Sequence, residues 1–139
     1  MKFINSYFDK TKGTSKVELK HLNRTFIGTA KTLPEDFNHC SEFYGCELAE
    51  MKAEMKAYVY ELKLAKREYR IVKKLIAACE YNKRFDKESS SAKVVYRQKN
   101  IIAKKVIRLE NKIDKLDFEY RQKIKMYDKQ VERLDKIRK

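Results

Sequence analysis

Among the residues equipped for chemistry, four of the five best suited to hold a metal lie in the first third of the chain: His21, His39, Cys40 and Cys46. Thiolate and imidazole are the usual ligands of zinc, held as closely spaced pairs that complete a tetrahedron. Cys40 and Cys46 are too far apart for such a pair and no second pair follows, so thiols near a helix start are expected here, and no metal. The fifth, Cys79, falls on an apolar stripe where packing accounts for it. No nucleophile sits beside a base, and glycines at 13, 28 and 45 alone do not make a phosphate-cradling loop. Glu35 and Asp36 read as turn or helix-start residues rather than cation ligands. No catalytic residue, metal or cofactor is therefore assigned, and the chemistry left is that of the lysines and arginines.

Those number 34 against 20 acids in 139 residues, a net charge of +14. Such a charge predicts attraction to polyanions. The excess is uneven: +3 in residues 1–40, +3 in 41–84 and +8 in 85–139. Lys63, Lys66, Arg67, Arg70, Lys73 and Lys74 form a dense group interrupted by Glu68 alone. A second group, Lys93, Arg97, Lys99, Lys104, Lys105 and Arg108, lies in a stretch free of acids. If a link near 85–91 folds the chain back, the groups meet in one band that neutralises several phosphates without reading bases. The residues assigned to partner or nucleic-acid binding are Lys63, Lys66, Arg67, Arg70, Lys73, Lys74, Arg97, Lys104, Lys105 and Arg108. Tyr69, Tyr81 and Tyr96 have rings able to stack on bases, although the spacing of Tyr69 makes it a core residue first.

The elements that must carry these bases are long helices. From Tyr44 apolar residues recur at steps of four and three through Leu48, Met51, Met55, Tyr58, Leu62, Ala65, Tyr69, Val72 and Ile76 to Cys79. A 3.5-residue repeat without glycine or proline after its start puts them on one stripe of a supercoiling helix. The pattern lapses over 82–91, where three serines offer capping oxygens, and resumes with Val95, Ile102, Val106, Leu109, Ile113, Leu116 and Tyr120. It continues through Ile124, Tyr127, Val131 and Leu134 after one extra residue, a stutter. Helices at about 42–84 and 91–138 are expected to fold back as an antiparallel coiled-coil hairpin, residues 41–139 forming one domain. A second apolar set, Ala57, Tyr60, Leu64, Ile71, Leu75 and Ala78, calls for further cover, from the N-terminal segment or, preferably, from a second copy in a homodimeric four-helix bundle; the alternative is that these residues stay partly exposed among Lys and Arg stems.

Residues 1–40 differ. Val17, Leu19 and Thr25–Phe26–Ile27 suggest short strands interrupted at Gly13 and Gly28, and Leu33–Pro34–Glu35–Asp36 reads as a turn. The expected fold class is thus mainly α, with a small N-terminal α+β or β head too small for a core of its own. There is no apolar run of eighteen residues, and the first nine are too polar for a signal peptide, so no membrane association and a cytoplasmic location are expected.

The passage from Phe26 to Asp36 with Gly28-Thr29-Ala30 and Pro34-Glu35, followed by Gly45 and the Ala/Lys/Glu-rich stretch to Ala57, resembles small proteins encoded by phages and prophages of Gram-positive bacteria. Their pattern is a strand ending in Gly-Thr-Ala, a Pro-acid turn, then a glycine and a long helix. The resemblance implies an accessory factor in the host bacterial cytoplasm, most specifically an anti-CRISPR inhibitor of a host protein or ribonucleoprotein complex. No family site carries over to residues of this chain. A sequence-independent DNA- or RNA-binding phage protein, and a coiled-coil assembly or scaffold protein, are the alternative expectations.

Overall fold

The computed structural model describes residues 1–9, 11–31, 41–82 and 84–138. It is mainly helical, in the order β1 (Lys2–Asp9), β2 (Thr14–His21), β3 (Arg24–Lys31), α1 (Ser41–Tyr81) and α2 (Ser90–Arg138). The strands form one antiparallel sheet in the order β1-β2-β3. The helices divide between two compact units: residues 1–58 with 113–139, and residues 59–112.

In the first unit tight turns set the sheet. Asp9 Oδ1 accepts the Thr11 and Lys12 amides, which holds its carboxyl below its ordinary pKa, and Gly13 takes a left-handed φ of 65°. Leu22 and Asn23, φ 52° and 61°, make a two-residue hairpin between β2 and β3, a conformation that normally favours Asn-Gly. The alternation of β2 then turns Ser15, Val17 and Leu19 inward opposite Ala30, Gly28 and Phe26 of β3. A sheet this small has no second layer, and α1 supplies one: Val17 and Ala30 pack on Ala49, and Leu19 packs on Ala53 and Ala57 beside Phe26.

The approach is close because both surfaces are small. A Cβ on Gly28 would lie 1.9 Å from the Ala49 carbonyl oxygen and 2.6 Å from the Ala53 amide nitrogen. Gly28 therefore does not interrupt a strand, as its residue type suggested; it sits within β3 where the strand backbone rests on the helix backbone. His21 meets Tyr58 edge-on at 6.0 Å, and Lys56 Nζ donates to the Ile27 carbonyl at 2.7 Å.

The C-terminal part of α2 joins this unit through a polar and aromatic cluster. Tyr44 and Tyr127 stack at 3.9 Å, the Tyr127 hydroxyl donates to Glu47, Lys123 pairs with Glu47, and the Tyr44 hydroxyl donates to Gln130. Burial, with a smaller contribution from Tyr44, raises the Tyr127 phenol above its ordinary pKa. β1 and β3 are the two edges of the sheet, and β1 is the more exposed at its apolar residues. Its Phe3, Ile4 and Tyr7 are exposed, and the ladder to β2 is irregular between Phe3 and Asn5.

In the second unit α1 and α2 run antiparallel. Lys66 pairs with Glu110 and Lys105 with Glu61, while the Tyr96 hydroxyl donates to Glu80. Ala65, Ile76, Ala92, Ile102 and Leu109 are buried. Every expected stripe residue of α1 from Tyr44 to Cys79, and of α2 from Val95 to Tyr127, is buried or half-buried. Val131 and Leu134 lie outside the residues whose side chains are described. The first helix stops at Tyr81, three residues short of the expected end, and the link is built from side-chain turns: Asn82 Oδ1 accepts the Arg84 amide and Asp86 Oδ1 that of Glu88. Ser89 Oγ then accepts the Ala92 amide and caps α2, as a serine there should. The second apolar set divides. Ala57 is covered by the sheet, whereas Ile71, Leu75 and Ala78 are exposed.

Two outcomes test this packing. Gly28→Ala should lower stability by about 1–3 kcal/mol or more, read as a lower melting temperature, because neither clashing atom is a side chain able to turn aside. The folded state favours the protonated Tyr127 phenol, so its contribution is complete below pH 10 and declines as pH rises past that value. In Tyr127→Phe that component of the alkaline fall in melting temperature should be missing.

Candidate polyanion-binding ridges

The seam decides where every base on the helices points. At about 100° per residue, Lys63, Arg67, Arg70 and Lys74 lie roughly 140–180° from the centre of the α1 stripe, along the ridge facing away from α2. Arg97, Lys104 and Arg108 occupy the equivalent ridge of α2, also roughly 145–175° from its stripe. All seven are exposed, and none has a hydrogen bond or ion pair with a described residue. The remaining three assigned residues flank the seam. Lys66 and Lys105 are the flanking bases already paired, at 3.4 Å with Glu110 and at 4.0 Å with Glu61, and Lys73 is exposed.

This corrects the expectation of one merged band. Tyr69 and Arg70 do lie beside Ala103, Val106 and Ile107, around an open cleft of about 530 Å³, so the two basic groups are level with one another. Arg70 lies on the shoulder of its ridge, where it also lines that cleft; the other ridge bases point apart because each occupies the side of its helix opposite the buried seam. Two ridges result, on opposite edges of the antiparallel pair. Each spans eleven steps of helix, about 16 Å at 1.5 Å per residue. Neither carries an acid: Asn100 falls between Arg97 and Lys104, and Glu68, Glu80 and Glu110 fall toward the flanks.

The tyrosines separate by position. Tyr69 is half-buried in the seam, and the hydrogen bond to Glu80 holds the Tyr96 phenol above its ordinary pKa. Tyr81, 92% exposed at the end of α1, is the ring left free to stack. Of the metal candidates, His39 and Cys40 lie outside the described residues, as do Pro34, Glu35 and Asp36. Among the described residues no group of three His, Cys, Asp or Glu side chains is placed to hold a metal, and no helix is long and apolar enough to cross a membrane.

The groove beneath β1 was not anticipated from sequence. About 1,100 Å³ in volume, it is lined by Phe3, Ile4, Val17, Phe43, Cys46 and the carboxylate of Glu50 among others. Residues 2–9 alternate poorly between polar and apolar, which hid the strand that forms its roof. No known protein family, curated protein or solved structure matches the chain.

The ridges place like charges three and four residues apart, each such pair destabilising a helix by about 0.2–0.5 kcal/mol. Replacing Lys63, Arg67, Arg70 and Lys74 with Gln should therefore keep the far-UV helical signal and raise the melting temperature at low salt. The gain should shrink as added salt screens the wild-type repulsion.

Proposed function

We propose that this protein is a non-enzymatic binding protein whose helices form a coiled-coil hairpin and present basic ridges to the phosphate backbone of a host nucleoprotein complex. The observation that carries this reading is the set of seven exposed, unneutralised bases in two acid-free rows on rigid helices. Fixed cations at helical spacing displace condensed counterions from a polyanion, which gives affinity without sequence preference. The inhibitory form of the function, an anti-CRISPR acting in the cytoplasm of a bacterial host, rests on the resemblance of residues 26–57 to phage proteins. A second reading, self-association into a homodimer or scaffold, is favoured by the exposed Ile71 and Leu75 on α1 and Val94 and Ile101 on α2. On a helical wheel these four fall on one side of the pair, between the ridges.

A gel shift with short DNA and RNA duplexes across a salt series tests the first reading. One ridge engages three or four phosphates, so the slope of log affinity against log salt should be about −3 to −4, a loss of roughly 100-fold between about 50 and 200 mM. Binding that ignores salt, or no binding, would remove the proposal. Recovery of a defence effector from host lysate, with loss on nuclease treatment, would give the inhibitory form its target. Self-association alone in sedimentation would leave only the second reading.

A further inference from the structure

The division of the bases into two ridges has a consequence that a single band would not. With helix axes 8–10 Å apart and long side chains reaching outward from each, the tips of the two ridges are about 20 Å apart and face opposite ways. A duplex lying along Lys63, Arg67, Arg70 and Lys74 leaves Arg97, Lys104 and Arg108 facing solvent on the other edge. We infer that the protein is a nucleic-acid bridge: each ridge of residues 59–112 binds the phosphate backbone of a separate duplex segment, and one molecule holds the two together. This rests on the proposed polyanion reading and gives it a valency.

Three features support the assignment. Each ridge is complete by itself, with at least three unpaired cations over about 16 Å, enough to neutralise several phosphates of a duplex that carries one charge per about 1.7 Å. The two are held at fixed separation by a seam that includes buried Ala65, Ile76, Ala92, Ile102 and Leu109, so they cannot collapse onto one ligand. The acids of the pair that make ion pairs across it, Glu61 and Glu110, neutralise flanking lysines and leave the outward bases untouched. Where the two duplex segments belong to one nucleic-acid molecule, engagement of the second also gains from linkage, because the first holds it at high effective concentration.

The test uses the full chain, one duplex immobilised on beads and a second, fluorescent duplex of unrelated sequence in solution. Wild type should retain the free duplex on the beads, and retention should pass through a maximum and fall as protein is added in excess, because each duplex then carries its own molecule. Two variants separate the ridges: Lys63, Arg67, Arg70 and Lys74→Gln in one, Arg97, Lys104 and Arg108→Gln in the other. Each should still shift a single duplex in a gel while retention falls at least tenfold. Undiminished retention by either variant would overturn the inference and assign bridging to self-association. A wild type that shifts duplex but retains none would overturn it while sparing the binding reading, and absence of any shift would defeat both. Equal displacement by polyglutamate at matched charge would reassign the ridges to an acidic polypeptide and likewise overturn the bridge.

Discussion

The constraint on which the rest depends is the apolar seam between α1 and α2. A helix that must bury every third or fourth residue on one line has no freedom left in the direction of the others. Because the repeat is kept from Tyr44 to Cys79, the outward side of α1 is defined residue by residue, and the bases at 63, 67, 70 and 74 occupy it. The same holds for α2 from Val95 onward. Charge pattern and core pattern are two phases of one helical period. The opposition of the ridges is therefore not an independent feature of the surface but the complement of the seam.

A second constraint governs the other unit. Three short strands do not bury enough apolar surface to be stable in isolation, and here they borrow the helix. The row Ala49, Ala53, Ala57 offers a flat face with no long side chains, and Gly28 lets β3 descend onto it. Both sides of the contact are small, so the backbones themselves come together and van der Waals contact is dense for the few atoms involved. Ser15 is the polar side chain of β2 that is fully buried, opposite Ala30, its hydroxyl without a hydrogen-bond partner among the described residues. A tight, small interface tolerates it because the hydroxyl is hardly larger than the methyl group it replaces, though the unmet hydrogen bond still costs about 1–3 kcal/mol.

Much of this was legible in the sequence, for reasons that can be stated. Long helices announce themselves by an apolar period that many residues report together, and so the seam, the link and the serine cap could be read directly. The basic groups were legible as composition but not as geometry. Counting bases along a chain brings Lys63–Lys74 and Arg97–Arg108 level, while their separation onto opposite edges follows only when each is referred to the seam angle. β1 was hidden because Lys2–Asp9 is an edge strand exposed on both faces, with no alternation for burial to impose. Gly28 was misread because glycine usually marks a turn. Its role in a strand is set by Ala49 and Ala53, about twenty residues away, which no local pattern contains.

The ridges also say something about selection between stability and binding. Along the first turns of α1 the sequence supplies acids freely, with Glu47, Glu50, Glu54 and Glu61 interleaved among its lysines. The same helix then places four bases on its outer line at spacings of four, three and four without one compensating carboxylate. A helix surface optimised for folding would alternate sign at those spacings, since opposite charges there stabilise by as much as like charges destabilise. The α1 ridge instead carries three repulsive neighbour pairs, a cost of about 1 kcal/mol at low salt, and the α2 ridge one, Lys104 with Arg108, at about 0.2–0.5 kcal/mol. Local rules are thus broken at neighbouring positions with no contact among the described residues to compensate, which is the pattern the proposed binding role would require. On the polyanion reading proposed above, the partner that would remove the repulsion is a line of phosphates.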